Sequence, residues 1–203
     1  MSIISFPTNI WITRMRWEQM RMDLTHTSPM SGASQGVVYG LPRWKVNIEI
    51  DRMNESDTGA VKALLLKLKG QINQLALWDI GRPTPKGTIS GFLTLGSAAD
   101  LGDDTLTISG GTNGQTLKAG DWLGVGEGQY QQVVMVTDDA TVSGGSITVN
   151  IQPPLRSNHT LGSDVVYDKP KALFRLANSR QGWDYEGDKV TGFTLDLIED
   201  WQA

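Results

Sequence analysis

Nine residues, "RWKVNIEID" at 43–51, restrict this chain more than any others: Trp44, Val46, Ile48 and Ile50 alternate without a break with Lys45, Asn47, Glu49 and Asp51. Successive side chains of a strand point to opposite faces, so a period of two predicts a strand in a sheet with one buried and one wet face. Upstream, "MRWEQMRMDLT" also alternates, but its apolar residues change parity: Met15 and Trp17 are odd-numbered, Met20, Met22 and Leu24 even-numbered. A slip of one position flips the buried face, so a β-bulge is expected near Glu18 and Gln19. Between the two strands runs "SPMSGASQGVVYG", a stretch rich in glycine and serine that reads as a flexible loop.

A different period follows. In "NESDTGAVKALLLKLKG", Val61, Leu64, Leu65 and Leu68 recur at i, i+3, i+4 and i+7, with Asn54 or Ser56 as candidate N-cap and Gly70 as the stop. This pattern predicts a helix laid across the sheet. "QLALWDI" then reads as another strand.

From "GRPTPKG" onward the texture changes, because residues 81–168 hold 15 of the 23 glycines. Six short strand patterns, "GFLTL", "DTLTISG", "DWLGVG", "QYQQVVMV", "SITVNI" and "DVVYD", are separated by turn-rich stretches, and Asn113-Gly114 signals a type I′ turn. After Pro170 the earlier style returns, ending in "VTGFTLDLIEDW" with Phe193, Leu195 and Leu197 on one face. The fold class expected is mainly β with one helix. Residues 1–86 and 169–203 form a discontinuous body, interrupted by an inserted all-β barrel or sandwich at 87–168, with the two connections side by side at Pro83, Pro85 and Pro170. Charge divides along the same line: residues 87–168 carry nine Asp or Glu against only Lys118 and Arg156, a net −7 that leaves about +3 for the rest of a chain whose total is −4.

These numbers also limit function. A basic nucleic-acid footprint is missing. With no cysteine there is no disulfide framework, thiolate metal site or cysteine nucleophile. No window approaches the roughly 18 apolar residues of a membrane span, and the N-terminal stretch does not read as a secretion signal, so a soluble, unsecreted protein without membrane insertion is expected. His26 and His159 fall in different parts, which argues against a shared metal site or triad. "GVGEGQ", with Gly124, Gly126 and Gly128, lacks phosphate-loop spacing and reads as a turn. Asp100, Asp103, Asp104, Asp138 and Asp139 read as solvated turns rather than a calcium loop or a glycosidase pair. No cofactor, metal site or catalytic set emerges, and the expectation is a non-enzyme. Seven tryptophans are many for this length: Trp44 reads as core, while Trp11, Trp122, Trp183 and Trp201 are candidate partner contacts.

The loop "SPMSGASQ" followed by "PRWKVNIEID", the helix "AVKALLLKLKGQINQLALWD", the junction "RPTPKGT" and the ending "FTLDLIED" together resemble the distal tail proteins of long-tailed bacteriophages, including the minor tail proteins of lambda-like phages. The resemblance covers essentially the body and rests on the joint order of these motifs. It implies a tail-tube-like two-layered β-sandwich with a flanking helix, assembled as a hexameric ring in the virion after synthesis in the host cytoplasm. Its partners would be copies of itself, a tail-tube or tail-terminal protein on one side and a tail-tip hub on the other, with DNA only passing through the lumen. The loop residues Ser28, Pro29, Met30, Ser31, Gly32, Ala33, Ser34, Gln35 and Gly36 would form the subunit contact, free in the monomer and ordered on a neighbour's sheet. The alternative is a carbohydrate-binding or side-fibre-attachment module acting through the insert.

Overall fold

The computed structural model describes residues 1–203 except 8–9, 52–54, 129, 181, 184, 187–188, 191 and 202–203, with backbone alone at 55–56, 185–186 and 189–190. In chain order the first elements are β1 (Ile3–Ser5), β2 (Arg14–Thr27), β3 (Ser34–Asp51), α1 (Glu55–Leu68) and β4 (Gln74–Leu77). Then come β5 (Leu93–Leu95), β6 (Thr105–Ser109), β7 (Thr116–Leu117), β8 (Trp122–Val125), β9 (Gln132–Val136), β10 (Ala140–Thr141), β11 (Ser146–Gln152) and β12 (Asp164–Val166). The last are β13 (Ala172–Leu176), β14 (Tyr185–Glu186), β15 (Lys189–Val190) and β16 (Gly192–Glu199). The protein is mainly β with one helix.

One open sheet has the order β1-β4-β13-β16-β3-β2, antiparallel except for the β1–β4 pair. The alternation in β3 is realised: Trp44, Val46, Ile48 and Ile50 are buried, and β16 adds Phe193, Leu195 and Leu197 to the same core. Val61, Leu64, Leu65 and Leu68 of α1 pack into it as their spacing predicts. The helix ends at Leu68, with Lys69 and Gly70 both at positive φ, 49° and 66°. Asn73 closes that end: its Nδ2 donates to Lys67 O at 2.8 Å and its Oδ1 accepts from Ser2 N at 3.0 Å. The N-cap candidate Asn54 and the side chain of Ser56 lie outside the described residues.

Three expectations change. A second sheet facing the first, as a sandwich requires, is not found among the described residues; α1 and part of the barrel cover the apolar face instead. The bulge lies farther along, with register shifts on either side of Met22, where β2 pairs Met20↔Arg43, Met22↔Gly40 and Asp23↔Val38. Arg21 thus opposes both Leu41 and Pro42. Proline has no N–H to give to a ladder and is accommodated at such irregularities, and Tyr39 is left over between Gly40 and Val38, so both extra residues sit on β3, where the parity of β2 could not reveal them. Finally, the Asn113-Gly114 turn has positive φ at Gly114 alone, 87°, with Gln115 N donating to Thr112 O at 3.0 Å. That is the type II pattern, because type I′ needs positive φ at both central residues.

All six strand patterns between residues 91 and 168 form one closed barrel, β11-β6-β5-β12-β8-β9, and β7 and β10 pair as a separate ribbon. Leu93, Leu95, Leu106, Ile108, Leu123, Val134, Val149 and Ile151 fill its interior. Chain entry and exit are neighbours: Lys169 N donates to Pro83 O at 2.7 Å. Asp121, fully buried, secures the entry by accepting from Lys86 N, Gly87 N and Lys118 N at 2.7, 3.1 and 2.8 Å, with Arg82 Nη1 at 3.6 Å. Gly87 is required there because a Cβ would lie 2.0 Å from Thr116 O.

Candidate functional site

The strongest functional feature of the sheet is where pairing stops. β16 runs beside β3 only from Lys45 to Asp51, so from Ser34 to Trp44 the sole described partner of β3 is β2, itself the sheet edge. The hairpin therefore extends as a two-stranded arm, with the stretch from residue 34 to 41 roughly 25 Å long at about 3.3 Å per residue. Its flanks carry exposed Leu24, Val37, Val38 and Tyr39, and Met30 at the tip is 98 % exposed. Isolated two-stranded ribbons are marginal in water, and exposed apolar side chains along this one make it the candidate contact surface.

Sequence reasoning placed a loose loop here, and the structure corrects it. Ser34, Gln35 and Gly36 are already in β3, with Thr27↔Ser34 the last pair. The connection is residues 28–33, closed by Ser28 N to Ala33 O at 2.8 Å and Gly32 N to Ser28 O at 2.9 Å, with Ser28 Oγ and Ser31 Oγ accepting from Ser31 N and Ala33 N. Gly32 sits at φ 69°, which an L side chain would resist. Thus the arm has β structure within one chain, before any neighbour is added.

The four candidate tryptophans fall in different environments. Trp11 is 83 % exposed and fits a contact role. Trp122 does not: it is 4 % exposed, packs on Trp17 and Trp44 with centroids 5.1 and 5.0 Å away, and donates from Nε1 to Asp79 Oδ2 at 2.9 Å. Its place on a barrel strand facing the sheet makes it core rather than a partner contact. Trp183 is half-buried beside Phe193 and Lys62. Trp201, also half-buried, lies under two guanidinium groups.

That last residue belongs to a second feature, a cleft of about 400 Å³ between sheet and barrel, lined among others by Arg43, Tyr130, Arg156, His159, Glu199 and Trp201. Glu199 is 1 % exposed; Oε2 accepts from Trp44 N at 2.9 Å and Oε1 faces Arg156 Nη2 at 2.8 Å. Burial pushes the Glu199 carboxyl above its ordinary range and the Arg156 guanidinium below its own, while each partner's charge opposes the shift. Ser157 Oγ and His159 Nε2 are 3.2 Å apart, and burial lowers the His159 pKa. This cleft was not anticipated. The signal was present, since Glu199 continues the odd-numbered row of Phe193, Leu195 and Leu197, which puts a carboxylate on an apolar face.

The acidic turns take hydrogen bonds from protein donors. Asp103 Oδ2 accepts from Asp100 N, Asp138 from Asn150 and Thr137, and Asp139 from Lys118 and Ala119; these bonds hold both Asp138 and Asp139 below the usual carboxylate range. No group of three or more metal-ligating side chains occurs among the described residues. His26 lies on the arm and His159 on the cleft, in separate parts of the molecule. No helix among them is long and apolar enough to cross a membrane. A scan against models of known protein families matches none, and a search of curated proteins finds no match.

Proposed function

We propose that this chain is a structural, ring-forming protein: a distal tail adaptor of a long-tailed bacteriophage, joining the tail tube to the tail-tip hub around the DNA channel. The single observation carrying this reading is the unpaired arm of β2 and β3, and the order of motifs described above supports it. An edge of unpaired backbone N–H and C=O groups extends by pairing with another chain, and exposed Leu24, Val37, Val38 and Tyr39 supply side chains to bury in that contact.

Ring closure is part of this proposal, and the two unlike edges of the sheet are compatible with it. Its two edges are β2 and β1, and in this reading the arm of one copy docks on a surface of the next copy other than its own edge. Such heterologous contacts close into a ring when the rotation between copies divides a full turn, and six copies is the number this reading assigns. Tail-tube and hub proteins are the partners on the two faces of the ring, DNA passes through the lumen, and the role is architectural rather than enzymatic.

The test is to replace residues 24–37 by an Asn-Gly turn, leaving Asp23↔Val38 as the closing pair. The shortened chain keeps its circular dichroism and melting transition but sediments as one chain, whereas the full chain sediments as a ring. A shortened chain that retains the assembly of the full one overturns the role of the arm.

A further inference from the structure

We propose that the cleft between sheet and barrel binds a small carboxylate of sugar-acid size, held by Arg43, Arg156 and Trp201. The chemistry begins with unmet donors. Among the described residues, Arg43 Nε, Arg156 Nη1 and Trp201 Nε1 are buried donors without a hydrogen-bond partner, Glu199 Oε1 is an acceptor in the same state facing Arg156 Nη2, and all four residues line the same cleft. Buried donors left unpaired are costly, and one such group in a native protein calls for an explanation; three on residues that line one cavity call for a shared one.

Stacking does not meet the need. The guanidinium carbons of Arg43 and Arg156 lie 4.1 and 4.6 Å from the centroid of the Trp201 ring. That interaction uses the π faces, whereas guanidinium and indole N–H bonds point outward in the ring plane, where an acceptor must sit. A carboxylate matches the planar fork of an arginine and accepts from several donors at once.

Charge selects the valence. Arg43 makes no ion pair among the described residues, Arg156 is paired with Glu199, and Asp200 is engaged by Arg175 at 2.5 Å and by Gln74. With Asp200 matched by Arg175 from outside the lining, Arg43 is the positive charge of the cleft left without an ion-pair partner among the described residues. A monoanion neutralises it, whereas a phosphate dianion would bring a surplus negative charge beside Glu199. Size and lining set the rest: about 400 Å³ falls within the range of small-ligand sites, and Tyr130, Gln131, Ser157 and His159 offer an aromatic surface and neutral polar groups for hydroxyls.

The experiment follows the arginine Nε–H and indole Nε1–H signals of the full chain by ¹⁵N NMR during titration with glucuronate, glucose, acetate and inorganic phosphate, with Arg43→Gln and Trp201→Phe used to assign the two signals. Glucuronate is expected to shift both signals saturably, with acetate weaker and glucose silent. Arg43→Lys, which keeps the charge and loses the planar fork, should weaken glucuronate by about tenfold or more. Its melting transition, compared with that of the parent, establishes that the fold is intact. The proposal is overturned if glucuronate leaves both signals unmoved, if glucose shifts them equally, if phosphate binds more tightly than glucuronate, or if a folded Arg43→Lys variant binds as the parent does.

Discussion

Trp44 on the sheet and Trp122 on the barrel meet edge to face with ring centroids 5.0 Å apart, and Trp44 Nε1 donates to the barrel backbone at Val133 O over 2.8 Å. Trp17 and Phe174 complete the cluster, so the two parts of the chain share a continuous apolar contact. A module inserted through a pair of adjacent connections could have swung freely; here its aromatic contacts join it to the sheet.

Trp122→Ala should therefore destabilise the whole protein by about 3–5 kcal/mol, the range for deleting a large buried aromatic side chain. Urea unfolding followed by circular dichroism measures the change. A loss below about 1 kcal/mol would mean that the sheet and the barrel fold independently of this contact.

Asp121 is the corresponding device at the entry to the barrel. Asp121→Ala leaves Lys86 N, Gly87 N and Lys118 N without their acceptor in a buried site. At about 1–3 kcal/mol for each unmet buried donor, with partial relaxation, the expected loss is at least about 3 kcal/mol. Equilibrium unfolding again reads it, and near-native stability would show that water can replace the carboxylate.

His159 gives the protein a pH dependence of definite sign. Burial holds its pKa below the ordinary value of about 6.5, so below that pH the unfolded chain takes up a proton that the folded chain resists. The contribution of His159 to stability is present above the unfolded pKa and is lost as pH falls through the folded one. Urea midpoints at pH 7.5 and pH 5 should show the parent losing stability relative to His159→Gln on acidification; parallel changes in the two proteins would refute it.

On the arm, Val38→Lys tests contact without touching the fold, because its cross-strand partner is Asp23. Val38 is exposed, so the single chain should change in stability by no more than about 0.5 kcal/mol, while a bulky ammonium in every copy, placed where an apolar contact would form, weakens assembly. Sedimentation at low and high ionic strength distinguishes the two effects. Unchanged assembly at low salt would place Val38 outside the contact.

How much of this was legible depended on whether the controlling interaction was local. The burial of Val46, Ile48 and Ile50, of Val61, Leu64 and Leu65, and of Leu195 and Leu197 follows from period alone, because each residue needs only its own strand or helix to define a face. The six strands of the insert were visible through their turns, but closure into a barrel depends on which strands pair, and β12 meets both β5 and β8 across long stretches of chain. Trp122 was misassigned for the same reason: alternation gives a strand face, and only the fold puts that face against Trp17 and Trp44. The loop at 28–36 was misjudged because glycine and serine suit a tight turn as well as a loose segment; Gly32 supplies one positive φ and the serines accept backbone hydrogen bonds. The cleft joins Arg43, Arg156 and Glu199, residues that no local pattern connects.

Assembly through the arm is most directly tested by the native mass of the purified full-length chain at about 10–100 µM, with electron microscopy of the same sample. Six chains per particle, seen as rings with a central hole, is the predicted result. A single chain throughout that concentration range would contradict self-assembly through β2 and β3.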